Sequence, residues 1–464
     1  MTRSTPALTL VALGLALLFI ASCLLVRPAF AQDLVVTPPA EQTQPILFRN
    51  ATVYPIASDP IEDGAVLIND GRIAFVGPDA QFDLADIPAD CRVVDATGKR
   101  IYPGLVAATT QIGLVETSAV RATRDENETG AFTPEVRAAV AINPDSTLIP
   151  VTRLGGVLVA GVLPTGGRVS GQAAAVKLMG WTSEDMTIDD HAALVVAWPQ
   201  VRPLHRWYVI DTPQDQYREI ELNLQQIDDF FDAAEAYCHR LERHEDQPTA
   251  DAPKADVRLA ATRPFVSGEP DARKPLFLAA NDLDQINDAL TWALDRGYDP
   301  VLLGGRDAEM SSALLAEHDI PVILSGVHRF PKRADSSYAE AFNQPARLAA
   351  KGVRFAITSS DRDGNVRNLP HEAALARRHG LSEADTLRAI TLTPAQILGI
   401  DDRYGSLEPG KSATLIVTDG DVLEVTTVVE AAYIDGRPVP MTSKQTELRD
   451  KYREKYRQLG IIDD

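Results

Sequence analysis

The run Thr358-Ser359-Ser360-Asp361 puts a carboxylate just beyond a short apolar segment, Phe355–Ile357. A carboxylate there could serve as a general base or bind a divalent metal. His328 follows the apolar run Val322–Val327, and His371 lies in the loop-to-helix region after Asp361. His328, His371 and Asp361 together would offer two imidazoles and a carboxylate, a donor set that can lower the pKa of a bound water to ~7. Plain hydrogen bonding is the simpler role for each. Lys177 stands inside the apolar run Ala173–Leu178, where a lysine snorkels or pairs with an acid. Arg121, Arg124, Asp125, Glu126 and Glu128 crowd one loop. Such a loop could hold a polar ligand, or could be a solvated charged surface. Pro164–Gly171 is glycine-rich but lacks the Gly-Lys-Ser/Thr ending of a phosphate loop.

The elements that must position these residues alternate. Apolar strand-like runs occur at Leu105–Ala108, Val157–Leu163, Ala173–Leu178, Leu276–Ala280, Val301–Leu303, Val322–Leu324 and Phe355–Ile357, with an eighth near Ala193–Ala197. Continuous apolar runs suit strands covered on both faces. Helical stretches lie between several of them, at Leu283–Arg296, Ser311–His318 and Ala346–Lys351. Repeated strand–helix units fit an eight-stranded barrel, with a doubly wound open sheet as the alternative. Ile220, Leu224, Ile227, Phe231, Ala234 and Cys238 step by three or four, so Gln214–Glu245 reads as one amphipathic helix covering the barrel.

Both flanks have β character. Asn69-Asp70-Gly71 between apolar runs signals a hairpin, and Asp435-Gly436 after Val428–Ile434 signals another. The expected organisation is a signal peptide (1–31), a flexible leader (32–45), a first β part (46–102), a barrel (103–400), a second β part (401–440) and a charged tail (441–464). The fold class expected is α/β: a TIM-like (β/α)8 barrel plus a small β-sandwich formed by both chain ends.

The 464 residues carry 65 acidic and 45 basic side chains, a net charge of −20. That balance argues against nucleic acid as a partner. The apolar run Ala7–Val26, followed by Ala29-Phe30-Ala31, reads as an export signal, so the expected location is periplasmic or extracellular. An uncleaved or lipidated membrane anchor is the alternative, and only then is a membrane an expected partner. Cys91 and Cys238 would be free, small, buried side chains.

Two motifs sharpen the picture. Asp95-Ala96-Thr97-Gly98-Lys99 with Pro103-Gly104-Leu105-Val106 resembles the run into barrel strand 1 of the amidohydrolase superfamily. Gly405-Ser406-Leu407-Glu408-Pro409-Gly410-Lys411-Ser412-Ala413-Thr414-Leu415-Ile416-Val417 resembles its return to the β module, and Ala389–Ala395 resembles the helix that closes the barrel. The imidazolonepropionase-related branch looks nearest. The resemblance implies a hydrolase of C–N bonds other than peptide bonds, using one or two divalent metals, zinc for an active member.

The ligands that the resemblance implies are missing. Thr109 and Gln111 stand where the first two histidines should be, Ala279 and Asn281 where a second pair should be, and Gly305 where a single histidine should be. Ser360 falls at the aspartate position, with Asp361 one residue on. Hydroxyl and amide oxygens are poor zinc ligands. Some members carbamylate a barrel lysine, which Lys177 would supply. No cofactor is therefore expected. Three readings follow: a pseudoenzyme that binds a small molecule or a protein partner, a hydrolase with a relocated or weak metal site around Asp361, or a structural subunit of an active homologue. An oligomer is compatible with each. Thr109, Gln111, Arg121, Arg124, Lys177, Ala279, Asn281, Gly305, His328, Ser360 and His371 are the pocket candidates.

Overall fold

The computed structural model describes residues 37–82, 87–204, 209–247, 253–269, 272–359 and 363–462. The expected export segment (1–31), Ser360 and Asp361 lie outside the described residues.

Eight strands from both flanks form one sheet. In chain order they are β1 (Ile46–Val53), β2 (Ile61–Asn69), β3 (Arg72–Pro78), β4 (Arg92–Asp95) and β5 (Arg100–Pro103), then β14 (Leu415–Thr418), β15 (Val429–Ile434) and β16 (Arg437–Pro438). Their order is β16-β15-β14-β5-β1-β2-β3, with β4 also on β1. The first half of β1 pairs with β4 and its end with β5, so one strand serves two partners and the sheet can fold over on itself. Both expected hairpins form. Asp70-Gly71 and Asp435-Gly436 have positive φ at both positions, the geometry whose twist matches antiparallel strands. The leader is not wholly loose: the Gln42 side chain donates to Ile68 O and accepts from Gly71 N.

The second sheet has the order β13-β12-β11-β10-β9-β8-β7-β6. Its strands are β6 (Leu105–Thr110), β7 (Val157–Val162), β8 (Val169–Lys177), β9 (Thr187–Ala197), β10 (Leu276–Ala280), β11 (Pro300–Gly304), β12 (Val322–Leu324) and β13 (Phe355–Ile357). All eight expected strands are present. One departs from the expected parallel pattern: β8 is antiparallel to both β7 and β9. The short Pro164–Arg168 link allows only a hairpin, because a parallel crossover needs a dozen or more residues. The seam between β13 and β6 is bridged by backbone, since Ile357 N donates to Ala389 O (3.0 Å) and Val106 N to Ile390 O (2.9 Å).

Alternate residues such as Val106, Ala108, Val159, Ala173, Phe277, Val301, Ile323 and Ala356 fill the barrel, capped by Leu398 and Tyr404. Gly161 sits where β7 comes closest to its neighbour. A Cβ there would lie 2.3 Å from Ala108 O and 2.8 Å from Leu398 Cδ2. The opposing carbonyl belongs to a paired strand and cannot retreat. Gly161→Ala is expected to cost about 2 kcal/mol, read as a lower urea midpoint.

The helices that cover the barrel include α1 (Leu148–Leu154), α2 (Pro213–Asp246), α3 (Leu283–Asp295), α4 (Ser312–Glu317), α5 (Glu340–Ala350), α6 (Leu369–Arg378) and α7 (Leu392–Ile397). α2 is the expected amphipathic helix. Ile227, Phe231, Ala234 and Cys238 are buried, while Ile220 and Leu224 are half-buried. Phe231 meets Trp292 of α3 edge-on, with ring centres 5.0 Å apart. Trp292 Nε1 donates to Asp228 (2.8 Å), so both the apolar body and the polar tip of the indole are satisfied. Both cysteines are free, but Cys91 is half-exposed rather than buried. The tail contains α8 (Lys444–Gln458), whose Ser443 and Thr446 form a capping box.

Candidate functional site

The barrel mouth holds a cavity of about 440 Å³ at the C-terminal ends of its parallel strands, where barrels build their sites. Its walls follow from strand alternation. Val301 and Leu303 point inward on β11, as do Phe277, Ala279 and then Asn281 along β10. The first polar residue past each apolar run therefore faces the cavity: Asn281 after β10, Ser325 after β12 and Thr358 after β13. A register shift in β6 between Ala107 and Thr110 lets Thr109, Thr110 and Gln111 all reach the wall. The β7–β8 hairpin contributes Pro164, Thr165, Gly166 and Ser170.

Among the described residues this lining carries no imidazole, carboxylate, ammonium or guanidinium. It offers hydroxyls and amides. The Thr358 hydroxyl donates to Leu324 O (2.7 Å), which leaves its lone pairs free, and the Thr110 hydroxyl accepts from Ile112 N (3.0 Å). Asn281 Oδ1 has no hydrogen-bond partner among the described residues. Such oxygens do not match the imidazole and carboxylate donors that hold a catalytic divalent metal. Nor do three His, Cys, Asp or Glu side chains come together elsewhere in a way that could hold a metal ion, among the described residues.

The site candidates divide. Thr109, Gln111, Ala279 and Asn281 meet at the cavity, and Gly305 adjoins its wall residue Gly304. Lys177 does not belong there. β8 runs antiparallel, so its last residue lies opposite Val159, away from the mouth. Lys177 instead bonds Asp435 (2.8 Å), which also accepts from Tyr404 (3.0 Å) and Ser412 (2.7 Å). Burial pushes the Asp435 carboxyl up, but the Lys177 and Ser412 bonds hold it below the usual carboxylate range. This cluster ties the barrel to the β module and makes a free, carbamylated lysine a poor description of Lys177.

Arg124 and Arg121 are also engaged elsewhere. Arg124 bonds the buried Glu126, and Arg121 donates to Arg124 O (3.1 Å). His328 and His371 are absent from the cavity wall. The His328 backbone is held by Glu372 (2.8 Å), and its ring centre lies 6.4 Å from that of Phe342. Of the three-member site of His328, His371 and Asp361, Asp361 lies outside the described residues and neither histidine lines the cavity.

Thr165 and Ser170 of the glycine-rich loop Pro164–Gly171 lie on the wall, while Thr110, Ser325 and Thr358 on the wall and Asp307 behind it were overlooked as site residues in the sequence. Ser325 and Thr358 were detectable as the first polar residues past their apolar runs. Asp307 had no such signal. It is 3% exposed and receives Lys332 and both terminal nitrogens of Arg333 (2.9 and 2.7 Å), with Leu283 N at 3.1 Å. One carboxylate thus pins the loops that follow β10, β11 and β12.

Comparison with known proteins matches a profile of the amidohydrolase family to residues 298–439. An amidohydrolase structure from Thermotoga maritima superimposes with a TM-score of 0.73 at 30% identity, covering 85% of this chain and 99% of that one. An imidazolonepropionase from Solibacter usitatus is 23% identical over 86% of this chain and 92% of its own length. The amidohydrolase tasK of Hapsidospora irregularis is 24% identical over 85% of this chain, which spans only 43% of that longer protein.

Proposed function

Given that the chain belongs to the amidohydrolase superfamily, in its imidazolonepropionase-related branch, we propose that its barrel binds an uncharged hydrogen-bonding small molecule instead of hydrolysing one with metal. The observation that carries this reading is the cavity lining: hydroxyls, amides and backbone around about 440 Å³, with no charged group among the described residues. That volume suits a small ligand. An ionised ligand entering it would lose hydration with no countercharge in return, whereas hydroxyl and amide groups on a neutral ligand find both donors and acceptors. In this reading Thr109, Gln111, Asn281, Ser325 and Thr358 orient the ligand, and Leu163, Val195 and Leu303 exclude water. The reading also places the protein outside the cytoplasm, on the strength of segment 1–31. Among the described residues no helix is long and apolar enough to cross a membrane.

The full chain, purified after growth with added zinc, is expected to hold far less than one metal per chain and to melt at the same temperature with and without a chelator. In a thermal-shift screen, uncharged polyols and amides should raise the melting temperature, and Ser325→Ala with Thr358→Val should remove that shift. Near-stoichiometric zinc with chelator-sensitive hydrolysis would overturn the proposal. It would favour instead a hydrolase built around Asp361, whose near neighbour Ser359 lines the cavity. Loss of that activity in Asp361→Asn would then complete the case for the second reading.

A further inference from the structure

None of the residues of helix α8, from Lys444 to Gln458, is buried. A solitary helix of this length is marginal in water, so its sequence pattern bears on what it is for. At ~100° per residue, Leu448, Tyr452, Tyr456 and Leu459 fall within an arc of about 80°. Their exposures are 38%, 49%, 43% and 60%, and Ile461 just beyond is 65% exposed. Charge is sorted around this stripe. Lys444, Lys451 and Lys455 flank one side, and Arg449 and Arg453 the other. Glu447, Asp450 and Glu454 fall on the far side, where Arg449 reaches Asp450 (2.8 Å) and Arg457 pairs with Glu454.

This sorting selects the occupant. A second α8 laid stripe to stripe would set cationic flanks against cationic flanks, which disfavours self-pairing. The stripe needs a surface that is apolar beneath and negative on both sides. Tyrosine suits a membrane interface, with its ring at the headgroup level, and lysine and arginine beside it meet anionic headgroups. The whole chain carries a net charge of −20, but salt screens it beyond ~8 Å, so a bilayer touching α8 senses the local face. We propose that α8 is a peripheral docking helix for a bilayer surface rich in anionic phospholipid, laid in the interface by the Leu448–Tyr452–Tyr456–Leu459 stripe.

The test is flotation of the full chain with vesicles of phosphatidylcholine alone and with about 30 mol% phosphatidylglycerol. Binding is expected only to the anionic vesicles and is expected to fall steeply with salt. The K451E/K455E/R449E/R453E variant should bind at least about tenfold more weakly, because each cation near the surface contributes. Y452S/Y456S keeps every charge and should also bind more weakly, which guards against a charge-reversed helix that merely unfolds. Arg218→Glu on α2 should float like the unaltered chain. No binding to anionic vesicles, equal binding to phosphatidylcholine alone, or unchanged binding by both α8 variants would overturn the proposal. So would a dimer in sedimentation that either α8 variant dissolves, which would assign the stripe to a second copy.

Discussion

Arg153→Met is expected to stabilise this protein by about 3 kcal/mol, although it removes a charged side chain from a well-packed helix. Arg153 sits near the end of α1 and is only 2% exposed. One terminal nitrogen donates to Leu178 O (3.3 Å), while Nε and Nη2 have no hydrogen-bond partner among the described residues. Among the described residues no neighbouring acid offsets the burial, which pulls the guanidinium from its ordinary range down to about 10. The sign follows from linkage. Below pH 10 the folded state carries a buried charge that the unfolded chain would hold in water, so the penalty is complete. The penalty fades as pH rises above about 10 toward the ordinary guanidinium range, since the folded protein sheds the proton first. Methionine keeps much of the stem volume and carries no charge to desolvate. The advantage of the variant should therefore be greatest at neutral pH and shrink above pH 10. Urea titrations of both proteins at pH 7 and pH 10.5 measure it. A variant that is less stable at pH 7 would show that the guanidinium holds something the protein itself does not supply.

The barrel strands were legible because burial on both faces writes itself as an uninterrupted apolar run, and each run from Leu105 to Ile357 became a strand. Direction was not legible from those runs, since an apolar stretch reads the same either way. For β8 the information lay in the link before it: Pro164–Arg168 is too short to cross the barrel. That reversal is what removes Lys177 from the mouth, so an error about direction became an error about a site residue. The hairpins at Asp70-Gly71 and Asp435-Gly436 were legible for a local reason, the positive φ that such pairs accept.

The cavity was legible in part. Thr109, Gln111, Ala279 and Asn281 were found through motif positions, and they do line it. Ser325 was missed although it stands one residue past β12, as Thr358 does past β13. Strand alternation alone would have named both. Asp307 could not be found this way. Its cations come from the loop after β12 and its backbone donor from the start of α3, and nothing local announces a carboxylate shared among three loops.

That shared carboxylate gives the other large effect. Asp307→Ala is expected to cost about 2–3 kcal/mol, because it removes charge-assisted bonds from Lys332, Arg333 and Leu283 N at a buried carboxylate. Lys332 is half-buried and retains Asp282, but Arg333 loses both of its bonds. The damage should reach the cavity. Asn281, Gly304 and Ser325 on the wall begin the three loops that Asp307 joins, and Lys332 also donates to Asn281 O (3.1 Å). Ligand-induced thermal shifts should therefore vanish in Asp307→Ala even at temperatures where the barrel is still folded. Burial pushes this carboxyl up, but the bonds from Arg333 and Lys332 outweigh it and hold the carboxyl below its usual range. With the folded value depressed, the stabilisation is complete above the unfolded value near pH 4 and is lost as pH falls through the folded one. Acid unfolding of the unaltered chain should thus steepen below pH 4, and Asp307→Ala should lack that component. Equal acid profiles for the two proteins, or a variant that binds ligand normally, would show that the three loops hold their positions without the carboxylate.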